Sequence, residues 1–130
     1  MPEPPTVRSG NLCYVEIPAL DVHESADFSE RTFGWNSRVR KTDRPAFDDT
    51  PSEVSGAFVV GRSPAAEPSF LLYVMAADAA AAADAVIAAG GEIMLPVGQY
   101  GGEVLGTFRD PGGNVMGIFQ QPGLADAEAR

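Results

Sequence analysis

The stretches EIPALDVHESADFSERTFGW (Glu16–Trp35) and YVMAADAAAAADAVIAAGGEI (Tyr73–Ile93) follow the same plan. Each opens with a short apolar run, turns at an aspartate, continues through a helix-forming segment and ends at glycine. In the first, Asp21 and Glu24 have capping-box spacing, Ala26, Phe28 and Phe33 give an irregular apolar stripe, and Gly34 closes the helix. In the second, Asp78 opens a helix whose Ala79–Ala83 tract is the strongest of helix formers, and Val86 and Ile87 supply an apolar face. The helix-opening aspartates lie 57 residues apart (78 − 21), and so do Gly34 and Gly91 (91 − 34). A constant offset across a whole strand-helix unit marks an internal repeat.

Outward from these stretches, period-2 alternation marks the strands. Asn11–Pro18 places Cys13, Val15 and Ile17 on one face, with Tyr14 and Glu16 on the other. Further strands are expected over Trp35–Thr42, near Phe47, and over Glu53–Gly61. After the loop RSPAAEPS (Arg62–Ser69) the order restarts with a strand over Phe70–Met75, the second helix and three more short strands. The expected fold is α+β: two βαβββ modules forming an open, cup-shaped mixed sheet with helices on the outside. Module one covers about 11–61 and module two about 69–121, within a single domain of 11–121. The proline-rich residues 1–10 form a flexible N-terminal segment, and 122–130 a polar C-terminal tail. A four-stranded sheet with one helix leaves its other face bare, so the halves are expected to pair.

Composition narrows the partners. The 130 residues carry a formal net charge of −9, which repels phosphate backbones and anionic lipid surfaces, so neither nucleic acid nor membrane is an expected partner. No apolar run reaches the length of a spanning helix, and the N-terminal residues lack the apolar core of a signal peptide. Cys13 is the only cysteine, so no intrachain disulfide can form; its apolar neighbours predict a buried strand position, and a reducing cytoplasm fits.

With GTFRDPGGNVMGIFQ (Gly106–Gln120), the two opening stretches resemble the vicinal oxygen chelate superfamily, which includes glyoxalases, bleomycin-resistance proteins and extradiol dioxygenases. Together with the strands between them they cover nearly the whole folded part. The resemblance implies paired βαβββ modules, a cup-shaped sheet and a homodimer. It also implies places for metal ligands. In metal-dependent relatives a carboxylate stands on the final strand three residues after the Asn of the DP-x-GN turn, where this chain has Gly117. The places seven residues before each helix-opening Asp hold Tyr14 and Leu71, not the usual His or Gln. The fourth place falls in EVSGAFVV, where Glu53 stands at the very start.

Elementary chemistry points the same way. A transition ion needs three or four imidazole, thiolate or carboxylate donors converging on it, and the chain has one His and one Cys. His23 belongs to the first turn of a helix, outside the sheet. No cofactor is therefore expected; a divalent metal would need ligands away from the usual places.

Alternation identifies the cup lining as Tyr14 and Glu16, and the repeat adds Leu71, Tyr73 and Met75; Val115, Gly117 and Phe119 complete it from the last strand. These residues are the expected ligand contacts. Glu16 is the candidate acid/base residue, or a charge anchor, or a rim carboxylate paired with Arg38, Arg40 or Arg109. Gly117 either opens room for a ligand or accommodates a bend or bulge. Tyr14 and Tyr73 either orient a ligand through their hydroxyls or are half-buried core tyrosines. Gln99-Tyr100-Gly101-Gly102 is either a cover over a ligand or an ordinary hairpin. Asp110–Asn114 reads as a turn, and Asp21 and Asp78 as helix caps. The resulting expectation is a protein that binds a small, partly apolar molecule without a transition metal. Two alternatives stand beside it: an enzyme, either metal-free with Glu16 as acid/base or using unconventional ligands, and a structural dimerisation module.

Overall fold

A computed structural model describes residues 9–10, 12–37, 46–50 and 54–129. Two four-stranded sheets are present, each with one α-helix across one face. In the first module β1 (Tyr14–Ala19) leads to α1 (Val22–Phe33), and β2 (Asn36–Ser37), β3 (Ala46–Asp48) and β4 (Ser55–Val60) follow. The second repeats the pattern with β5 (Tyr73–Ala76), α2 (Ala79–Ala88), β6 (Glu92–Tyr100), β7 (Glu103–Arg109) and β8 (Val115–Gln120). The strand orders β1-β4-β3-β2 and β5-β8-β7-β6 are equivalent. In each, the first strand pairs parallel with the last and the others pair antiparallel. The parallel contact is the geometric result of the crossover through the helix. A short third helix, α3 (Leu124–Glu128), occupies the segment expected to be only a polar tail.

The repeated aspartates do what their spacing predicts. Asp21 accepts from the Glu24 amide at 3.1 Å and Asp78 from the Ala81 amide at 3.1 Å, satisfying one free N–H at each helix start. Gly34 closes α1 in the left-handed region at φ 73°. At the end of α2 the offset slips by one: Ala89 is the cap, and Gly90, not Gly91, takes positive φ. Gly91 is needed for another reason, because a Cβ there would lie 2.7 Å from Val86 Cγ1 and 2.9 Å from Phe28 Cε2.

That contact shows how the halves hold together. Ala26 of α1 packs with Ile17, Ala19, Phe47 and Phe58 in the first module's core. Phe28, two residues on, belongs instead to the second core, with Ala79, Val86, Phe108, Met116 and Ile118. Its ring lies 6.0 Å from that of Phe108, and Phe33 lies 5.7 Å from the same ring. The apolar stripe of α1 is irregular because it serves two cores. Burying a phenylalanine is worth about 1.5–3 kcal/mol, so the second module does not keep its full core without the first.

One expectation about position needs correction, and one lies partly outside the described residues. Cys13 is exposed, not buried: β1 begins one residue later, beyond the helix's cover. The expected strand over Trp35–Thr42 is seen only at Asn36–Ser37, since residues 38–45 lie outside the described set.

Candidate functional site

With helices covering one face of each sheet, the opposite faces are left free. In the first module Val15 and Ile17 pack into the core, so Tyr14, Glu16 and Pro18 take the free face. The parallel register sets Glu16 beside Ala57. Tyr14 is 57% exposed and its hydroxyl has no partner among the described residues. Glu16 is half exposed and paired with Arg62, whose Nη2 is 2.8 Å from Oε1. This partner was not among those expected. Arg38 and Arg40 lie outside the described residues, and Arg109 is bound to Glu92 at 2.9 Å, its direct cross-strand neighbour. Arg62 was accessible through topology alone: it follows β4, the strand that pairs with β1.

In the second module the free face carries Tyr73 and Met75 on β5, with Val115, Gly117 and Phe119 on β8. Tyr73 stands directly opposite Gly117 in the parallel register. A Cβ added at Gly117 would lie 2.9 Å from Tyr73 Cγ and closer still to Cδ1 and Cε1, so the tyrosine ring takes the space the missing side chain leaves. Gly117 has no bulge to explain it, as β8 runs in register with both neighbours. Tyr73 remains 46% exposed and Met75 59% exposed. Leu71 is half-buried and precedes β5.

The modules meet at a seam beside this face. Glu16, Pro18, Pro68, Phe70, Leu72 and Val115 help to line a shallow, mainly apolar pocket of about 90 Å³. It brings Glu16 and Val115, expected lining residues from different modules, to one place. Tyr14, Leu71, Tyr73, Met75, Gly117 and Phe119 lie outside it, and Phe70 and Leu72 are additions that alternation did not identify. Asn114 fastens the seam, accepting from the Ala65 amide at 2.9 Å and donating to the Pro18 carbonyl at 2.7 Å. Its Nδ2 also reaches both Asp110 oxygens, at 3.1 and 3.0 Å. Burial pushes the Asp110 carboxyl above its ordinary value of 3.8, against the opposing pull of hydrogen bonds from the Asn114 side chain and nearby amides. The aspartate has a structural task here, as its place in the turn suggests.

The places where the resemblance implies metal ligands carry other residues. Tyr14 and Leu71 occupy two of them; at the third, any added side chain would run into the Tyr73 ring. Glu53 lies outside the described residues. Among the described residues no group of three or more His, Cys, Asp or Glu is placed to hold a metal ion. His23 is exposed on α1. Gln99–Gly102 forms a tight hairpin end, with Gly101 and Gly102 both at positive φ between β6 and β7. No helix among the described residues is long and apolar enough to cross a membrane.

The family model for the Glyoxalase/Bleomycin resistance protein/Dioxygenase superfamily matches residues 11–118. Comparison with curated proteins gives no match. Among solved structures, a glyoxalase-related enzyme from Fulvimarina pelagi superposes with a TM-score of 0.69 at 20% identity, over 87% of this chain and 89% of that one. A glyoxalase/bleomycin resistance protein/dioxygenase family enzyme from Burkholderia phytofirmans PsJN gives 0.69 at 17% identity, over 85% and 98%. The V278E glyoxalase I mutant from Zea mays gives 0.65 at 19% identity; 88% of this chain covers 47% of that one. At these identities the likeness concerns the fold.

Proposed function

Because the chain belongs to the Glyoxalase/Bleomycin resistance protein/Dioxygenase superfamily, we propose that it binds a small, partly apolar molecule on the free faces of its sheets and uses no transition metal to do so. The observation that supports this reading is the pairing of Tyr73 with Gly117, which puts an aromatic ring at the place where the family resemblance implies a metal-ligating carboxylate. Exposed Tyr14, Tyr73 and Met75 supply apolar and aromatic contact area, and the two tyrosine hydroxyls, which have no partner among the described residues, supply polar anchors. We assign Glu16 to charge anchoring and not to proton transfer, since its carboxylate already engages Arg62.

A drug-sized ligand needs roughly 300–1,000 Å³ of enclosed space. The seam pocket is far smaller, at about 90 Å³. We therefore propose that a second copy of the chain closes the cup, giving a homodimer with its ligand between sheet faces. The single cysteine suits a reducing compartment such as the cytoplasm.

The test is a two-dimensional amide NMR titration, in the presence of EDTA, with a panel of small neutral and cationic apolar compounds. Binding should shift amides of Tyr14, Glu16, Tyr73, Met75, Val115 and Phe119. Shifts confined to the helical faces, or binding lost in EDTA and restored by Zn²⁺ or Mn²⁺, would overturn the reading. Sedimentation velocity should report a dimer; a monomer at high micromolar concentration would remove the shared cup.

A further inference from the structure

We infer that Tyr73 is a specificity-determining residue: seated on Gly117, its ring forms a flat stacking platform that selects a planar, unsaturated ligand over a saturated one of the same skeleton. The inference rests on the ligand-binding reading above and adds the chemical class of the ligand.

The position of the ring follows from backbone register. Tyr73 and Gly117 are direct partners on parallel strands, and glycine lets the tyrosine fold down against β8. Cγ, Cδ1 and Cε1 all lie within 3 Å of where a Cβ would stand on Gly117, so the ring is held against the strand. The side chain nevertheless stays 46% exposed, which leaves an aromatic surface open to solvent. Backing on one side and openness on the other make a platform, because a fixed ring spends little entropy when a second ring settles on it.

The surroundings define what fits. Val115 and Phe119 flank Gly117 on the same face of β8, and Met75 extends the apolar area along β5. On β7 the residues opposite are Thr107, beside Gly117, and Leu105, beside Phe119. The charged groups of this face of β7 stand at its two ends: Arg109, paired with Glu92, and Glu103 beside the hairpin turn. The centre is therefore uncharged, which disfavours an ionic group there and suits a neutral ring. Within the described residues the Tyr73 hydroxyl has no partner, whereas the Tyr100 hydroxyl donates to the Pro96 carbonyl at 2.8 Å. The free phenol can meet one polar substituent on the ligand. The first module offers no such platform, since the repeat-equivalent place holds Glu16 beside Ala57.

Two probes of one skeleton test this: 2-naphthol, which is flat and aromatic, and decahydro-2-naphthol, which is saturated. Both are titrated by NMR into wild type, Tyr73→Phe and Tyr73→Leu, with circular dichroism confirming that each variant is folded. Wild type should prefer 2-naphthol and show upfield ring-current shifts of the Tyr73 ring protons. Tyr73→Phe should keep the preference; Tyr73→Leu should lose roughly two- to tenfold in 2-naphthol affinity, the range expected of one aromatic pair, with little change for the saturated probe. Equal binding of both probes to the free face would overturn the platform and leave the ligand-binding reading intact. An equal loss of both in Tyr73→Leu would do the same. Failure of both probes to bind would count against the ligand-binding reading itself, and the platform with it; binding of the saturated probe alone would overturn the platform.

Discussion

Asn114→Ala is the substitution with the largest consequence for the seam between modules. Asn114 is 2% exposed and satisfies three separate groups: the Ala65 amide, the Pro18 carbonyl and the Asp110 carboxylate. Truncation leaves each of these short of a partner; Asp110 is buried, while the Ala65 amide and the Pro18 carbonyl are part-buried beside the seam pocket. A buried polar group left unsatisfied costs about 1–3 kcal/mol. Asp110 keeps the Asn114 backbone amide at 2.8 Å, so its share falls at the low end. With about 1–2 kcal/mol for each of the part-buried Ala65 amide and Pro18 carbonyl and about 1 for Asp110, the sum is about 3–5 kcal/mol, a large part of the roughly 5–15 kcal/mol that stabilises an ordinary domain. Urea unfolding followed by tryptophan fluorescence measures it directly, because Trp35 stacks on Phe47 in the core at 4.9 Å. Asn114→Asp should be worse than alanine at neutral pH, since it sets a second carboxylate against Asp110. A loss below about 1 kcal/mol for Asn114→Ala would refute the claim that this side chain joins the modules.

Other outcomes follow from single contacts. Gly117→Ala should cost about 1–3 kcal/mol, since its Cβ must displace the Tyr73 ring, and a combined Gly117→Ala, Tyr73→Ala variant should recover part of the loss in thermal unfolding. Because burial raises the Asp110 pKa in the folded chain, its stabilising contribution is complete below 3.8 and is lost as pH rises through the folded value. Wild type minus Asp110→Asn stability, measured from acid to neutral pH, should therefore decline with rising pH; a rise would reverse the assigned cause. Arg62→Ala should change stability by less than about 1 kcal/mol, as expected for an exposed ion pair, yet free Glu16 to hold cationic ligands more tightly in calorimetry.

The repeat was readable because capping chemistry is local. Asp21 and Asp78 each act on an amide three residues ahead, so a short window of sequence contains the whole signal. The same holds for Gly34, whose left-handed conformation closes its own helix. The second glycine pair was harder: Gly90 supplies the positive φ while Gly91 makes room for Phe28, and only packing between modules separates the two roles. Alternation identified the free-face residues of β1, β5 and β8, but it carries no register. The seating of Tyr73 on Gly117, and the reach of Arg62 to Glu16, depend on which residues stand opposite across parallel strands. The exposure of Cys13 shows a related limit: apolar neighbours in sequence do not say where a helix stops covering a strand.

The central claim is that this member of the superfamily binds its ligand without a transition ion, and metal analysis tests it most directly. The protein, purified without chelator and with Zn, Ni, Mn and Fe present during expression, is assayed by inductively coupled plasma mass spectrometry beside a ligand titration before and after EDTA. Only trace metal is expected, with an affinity that EDTA leaves unchanged. A stoichiometric transition metal whose removal abolishes binding would contradict it.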